Sequence, residues 1–215
     1  MAKLIMQKLG KLRGSIGNVV FYQLNGETVM RRKPGPRKTK PTPRQLYTRK
    51  AFNLGQLFLK PLIKELNFTF SEFIRGPKRG FHFALSTLLK TAISNRQGKP
   101  VLDPILVQIS SGELDPLTDA SLEKIGETKF RLSWNANTWI GTPREGDRLY
   151  LLVYCPDEKL FFAIREGAFR KNELQEFDIP WLERVSSKTY CYAAFYKKVL
   201  KGIRFSDSVC LGIGE

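Results

Sequence analysis

The chain has a single histidine, His82, and only three cysteines, Cys155, Cys191 and Cys210, among its 215 residues. General acid–base catalysis, nucleophile activation and metal binding draw heavily on histidine. One copy, set between Phe81 and Phe83, reads as structural. The cysteines are odd in number, far apart and each inside an apolar run. They are expected to be buried, reduced thiols rather than a disulfide framework. No Cys-x-x-Cys or His-x-x-x-His spacing offers a metal site. No glycine-rich loop ends in Gly-Lys-Ser/Thr, and no Gly-x-Ser-x-Gly elbow presents a nucleophile. Paired carboxylates have no fixed spacing, so a carboxylate-only hydrolase stays open as a third reading. Its candidates Asp147, Glu166 and Asp178 read equally as turn and solvent residues. No catalytic, metal or cofactor site is expected, and the chain is expected not to be an enzyme.

Long apolar runs are missing too. No segment approaches the ~18–20 apolar residues of a membrane helix. The longest run in residues 1–13 is Leu4-Ile5-Met6, against about 7–15 in a secretory signal. A cytoplasmic protein with no membrane partner is expected. The most informative scarcity is of acid. Residues 1–100 hold 21 Lys and Arg against 3 Asp and Glu, whereas residues 101–215 hold 15 against 17. The formal net charge of +16 therefore resides in the first half. Such asymmetry implies an anionic partner or an anionic surface in an assembly.

What is present reads as two parts. Ser15 to Tyr22 is rich in β-branched and aromatic residues and reads as a strand. Asn25-Gly26 supplies a tight hairpin turn, and Thr28-Val29-Met30 resumes the strand. Residues 31–50 contain nine basic residues and no acidic one. Pro34, Pro36, Pro41 and Pro43 bar helix and central strand there, giving an extended arm up to Thr42. Thr42-Pro43-Arg44-Gln45 fits a capping box with proline at the first helical position. A helix is expected from Pro43 to about Phe58, ended or kinked at Pro61. A second is expected over 81–95 with Gly98 as terminator. Arg75 to Gly80 forms a basic loop between them.

Beyond Pro100 short β-like runs recur at 105–110, 129–134, 148–155, 160–165, 174–179, 189–196 and 208–211. Seven short strands with little helical pattern read as an antiparallel sandwich. Strict alternation fails in 148–155, as a central strand covered on both faces allows. The expected class is α+β, with residues 1–100 as hairpin, arm and helices and 101–215 as an immunoglobulin- or fibronectin-like sandwich.

Certain residues, in order, carry a family resemblance. They are Leu9-Gly10, Gly14 to Val20, Arg31 to Pro34, Pro41 to Gln45, Arg49 with Phe52, and Phe58 to Leu62. The C-terminal half adds Leu151 to Tyr154, Pro156, Tyr192 to Phe195 and Ser206 to Gly212. Together they resemble an uncharacterised bacterial domain-of-unknown-function family. That resemblance implies a basic N-terminal module followed by the sandwich, and it implies no activity. The N-terminal pattern is also similar to one in some phage-encoded proteins.

The first functional expectation is a binding protein whose basic half contacts nucleic acid or another polyanion, largely without regard to sequence. Its contact residues are Arg31, Arg32, Lys33, Arg37, Lys38, Lys40 and Arg44, with Arg75, Lys78 and Arg79 as a second patch. Tyr22, Phe21 and Tyr47 lie near the arm as base-stacking candidates or core residues. The second expectation is a structural component of a larger assembly, such as a phage particle, secretion machine or ribosome-associated complex. Its arm would thread onto protein neighbours.

Overall fold

The computed structural model describes residues 2–3, 13–24, 27–36, 40–74, 76, 78–138, 144–200 and 202–212. It divides into two units, Met1–Pro43 and Arg44–Glu215. The boundary expected at residue 100 falls inside the second unit, where helix and strand residues share one apolar core.

The first unit is an antiparallel sheet of β1 (Ala2–Lys3), β2 (Gly14–Ile16), β3 (Val19–Leu24) and β4 (Glu27–Arg32), in the order β1-β4-β3-β2. β3 and β4 pair with Leu24 opposite Glu27, which leaves a two-residue connection. The residues expected to turn there, Asn25 and Gly26, lie outside the described residues. The single strand expected from Ser15 to Tyr22 is two strands. Gly17, at φ 55°, folds the chain back so that Ile16 lies opposite Val19. Only glycine adopts that backbone without penalty.

Next comes α1 (Pro43–Leu59), which from Arg44 on belongs to the second unit; the missing N–H of Pro43 costs nothing at the first helical position. A 3-10 turn at Lys60–Leu62 carries Pro61, and α2 (Ile63–Thr69) follows. α3 (Gly80–Thr91) crosses α1 at Gly55, where a methyl group would come within 2.9 Å of Leu85 and Leu88. The helix expected to run to residue 95 stops at Thr91. The next residues form a hairpin of β5 (Ile93–Arg96) and β6 (Lys99–Leu102). Its turn places Gln97 and Gly98 at φ 51° and 78°, with the Gly98 N–H donating to Asn95 Oδ1 at 2.9 Å. Gly98 is thus a hairpin turn residue rather than a helix terminator.

The strand expected over 105–110 is also absent. Asp103 Oδ1 accepts from the Ile105 N–H at 3.0 Å and starts a 3-10 turn, Pro104–Leu106. Val107 and Ile109 beyond it are buried. The other expected runs all contain strands. β8 (Lys129–Asn135), β9 (Arg148–Cys155), β10 (Leu160–Ile164), β11 (Leu174–Asp178) and β12 (Tyr190–Val199) follow β7 (Thr118–Lys124), and β13 (Gly202–Phe205) and β14 (Val209–Gly212) close the chain. β7 and β13 were not expected. The strands form a larger sheet, β10-β9-β12-β13 with β14 also on β12, and a smaller one, β11-β8-β7.

The larger sheet is apolar on both faces. Leu149, Leu151 and Val153 of β9, with Cys191, Ala193 and Phe195 of β12, meet Phe130, Leu132 and Trp134 of the smaller sheet. The alternate residues Tyr150, Leu152, Tyr154, Tyr192, Ala194 and Tyr196 meet Phe58, Leu62, Leu66 and Leu88 of the helical layer. Each such apolar side chain stabilises by ~1.5–3 kcal/mol on burial. The fold is α+β. A row of tyrosines fastens helices and turns to this sheet. Tyr154 Oη donates to the Phe58 carbonyl at 2.8 Å, Tyr192 to the Pro104 carbonyl at 2.7 Å, and Tyr150 to Glu65 at 3.0 Å. Burial pushes the Tyr154 hydroxyl up to about 12 and those of Tyr150 and Tyr192 well above their usual value.

Candidate polyanion-binding surface

β4 carries Arg31 and Arg32 on successive residues, so they aim at opposite faces of the first unit's sheet. Register sets Arg31 opposite Val20 and Arg32 opposite Val19. Tyr22 lies one residue pair along on the Arg31 face, and the Arg31 guanidinium sits 5.6 Å from its ring centroid. Such a contact holds the cation in place while leaving its charge outward. Lys33 follows, its backbone N–H donating to the Asn18 carbonyl at 2.7 Å. That bond ties the start of the arm to the Gly17-Asn18 turn. Asn18, Arg32, Lys33, Pro34, Gly35 and Pro36 line an open concavity of about 610 Å³. Arg31, Arg32, Lys33 and Lys40 are all exposed. Arg37 and Lys38 lie outside the described residues, as does Arg75.

The remaining expected residues belong to the second unit. Arg44 is exposed in the first turn of α1, a turn with no acidic residue. Helix dipoles favour anions there. Lys78 and Arg79 are exposed just ahead of α3. The Arg79 N–H donates to His82 Nδ1 at 3.0 Å, so the lone histidine closes the start of that helix. Asn18 was not expected at the surface; it becomes part of it through the Lys33 hydrogen bond. Tyr22 was expected only as a neighbour. The two-residue hairpin connection, which fixes the register, was the signal that places it beside Arg31.

The carboxylates weighed for hydrolysis have other settings. Asp147 is buried and paired with the buried Arg170 at 3.3 Å. Arg170 Nη2 donates to the Asp115 carbonyl at 2.8 Å, and its guanidinium lies 3.8 Å from the Phe195 ring centroid. Burial pulls the guanidinium below its usual value, and Asp147 opposes that shift. Glu166 lies on the surface 2.9 Å from Lys198, which holds its carboxyl below the usual range. Asp178 is exposed at the end of β11. Among the described residues no group of three His, Cys, Asp or Glu is placed to hold a metal ion. None of their helices is long and apolar enough to cross a membrane. Burial raises the Cys191 thiol above its usual value and pushes Cys210 up to about 11, which leaves both protonated at neutral pH.

Fold and surface together define an α+β protein with an exposed basic strand and arm. The chain belongs to a family of unknown function (DUF6266), whose model matches residues 10–212. No curated protein and no solved structure matches it.

Proposed function

We propose that this is a non-enzymatic binding protein that holds nucleic acid or another polyanion on its basic N-terminal strand and arm. The observation that carries this reading is the run Arg31-Arg32-Lys33, exposed and continuous with the concavity formed with Asn18 and Pro34 to Pro36. Each cation that meets a phosphate releases condensed counterions, so affinity is electrostatic and falls with salt. Proline-rich backbone loses less freedom on binding than a free coil does. Arg31 and Arg32 present cations on both faces of the sheet. Phosphate contacts carry no sequence information, so little sequence dependence is expected. Arg44, Lys78 and Arg79, in the second unit, are a separate set of candidate contacts.

The second unit serves protein contacts in this reading, through an immunoglobulin- or fibronectin-like sandwich. Its support is the partition of strands. The first, second and fifth of the series β7 to β14 form one sheet, and the third, fourth, sixth and later strands form the other.

The test is fluorescence anisotropy with a DNA duplex, an RNA single strand and polyglutamate at low salt. The wild type is compared with a variant carrying serine at 31, 32, 33, 37, 38 and 40. Salt-sensitive binding to the nucleic acids and to polyglutamate, a fully ionised carboxylate polyanion, lost in the variant, is the expected result. Binding unaltered by the six substitutions would overturn the assignment.

A further inference from the structure

β10 hydrogen-bonds to β9 on one side, and on its other side no described strand pairs with it. Its residues are Leu160, Phe161, Phe162, Ala163 and Ile164, without a charge, proline or glycine. Natural edge strands are normally blunted by charge, proline or a bulge, because an open edge is a template for another strand. Most other edges of the second unit's two larger sheets follow that rule. β7 carries Asp119, Glu123 and Lys124 and a register shift between Thr118 and Ser121. β11 carries Glu176 and Asp178, and β13 carries Arg204. β14 is uncharged, but it packs beside β7 and the Pro104–Leu106 turn. β10 alone is both apolar and open among the described strands.

We propose that β10 is a strand-addition edge through which two copies of this chain pair antiparallel, joining their larger sheets across a two-fold axis. A strand that fits this edge must be uncharged and apolar on both faces. Phe162 and Ile164 of β10 pack toward the core with the smaller sheet, and Ala163 toward the helical core. Leu160, 40% exposed, and Phe161, 37% exposed, extend those two faces past the edge. β10 itself meets this requirement. An isologous pairing sets apolar against apolar at all five positions. Charge permits the approach as well. Residues 101–215 hold 15 basic and 17 acidic residues, so the edge lies in the nearly neutral part of a chain whose net charge is +16. A five-residue edge buries less than the ~800 Å² per partner of a stable complex, so the dimer forms with rising concentration.

This inference is independent of polyanion binding, and its test is arranged to keep the two apart. Nuclease-treated full-length protein is run in sedimentation velocity from about 1 μM to about 1 mM, the span of weak association. Salt is kept high enough to suppress polyanion bridging. The comparison is Leu160→Lys/Phe161→Lys, which changes two exposed side chains and sets like charges across the axis. Wild type moving from monomer to dimer, with the variant monomeric and unchanged in circular dichroism, is the expected result. Hydrogen exchange should show amides of 160–164 gaining protection as the wild type dimerises. A monomer throughout, or a dimer in both proteins, overturns the proposal. Dimerisation without added protection at β10 overturns it as well. Should the double variant misfold, Phe161→Lys alone is used with the same readouts.

Discussion

In residues 1–43 ten lysines and arginines stand against one acidic residue, whereas in residues 44–215 twenty-six stand against nineteen. The second unit holds ion pairs of Arg131 with Glu176, Arg165 with Glu65, Arg170 with Asp147, Lys198 with Glu166 and Arg204 with Glu113. There, part of the charge is paired within the fold, between neighbouring strands and between α2 and Arg165. In the first unit, Arg31, Arg32 and Lys33 stay exposed, with the Arg31 guanidinium over the Tyr22 ring. Paired charge is thus prominent in one unit, and the exposed run Arg31-Arg32-Lys33 is the binding surface we propose for the other.

The largest effect that sharpens this contrast is on the buried pair. Arg170→Ala strands the Asp147 carboxylate in the core and should cost about 3–5 kcal/mol in urea denaturation. Substituting Arg31, Arg32 or Lys33 by serine should change stability by less than ~0.5 kcal/mol each. A large loss from the exposed residues would erase the distinction. Gly55→Leu comes next. It forces a side chain into the α1–α3 crossing and should cost about 1–3 kcal/mol, leaving the first unit's sheet untouched.

Smaller still is the tyrosine row. Tyr150, Tyr154 and Tyr192 have folded values raised above the unfolded value near 10. Between the two values the unfolded chain has released protons that the folded chain keeps. Stability is therefore intact below about pH 10 and falls as the pH climbs toward the folded values. Tyrosinate absorbance from Tyr150, Tyr154 and Tyr192 should appear together with loss of circular dichroism, not before it. Tyr154→Phe leaves the Phe58 carbonyl without its hydroxyl donor, costs about 1 kcal/mol at neutral pH, and removes part of that alkaline dependence.

Much of this architecture is legible in the residues. The failure of alternation in 148–155 marked a strand covered on both faces, and β9 is buried along both. Pro43 opens α1, and Pro61 interrupts the helical run as a 3-10 turn. The β5–β6 hairpin was hidden because its turn is made by Gln97, a residue not selected for positive φ. β7 escaped because Ala120 and Leu122 give its inward side little apolar weight. For the site, the charge and its extended backbone were evident from composition. The concavity was not, since it depends on the Lys33 N–H reaching the Asn18 carbonyl across a turn that Gly17 creates.

The central claim is that exposed cations of the first unit, rather than the protein's total charge, hold the polyanion. The most direct measurement is the salt slope of duplex DNA binding for the wild type and for Arg31→Ser/Arg32→Ser/Lys33→Ser. As a control, Arg131, Arg165 and Arg204 are changed to serine for the same loss of three charges. The first variant should flatten the slope of log K against log salt by about 3 units, roughly 0.9 per phosphate contact, and the control should leave it nearly unchanged. Equal flattening in both variants would show that binding tracks net charge alone, and would contradict the account.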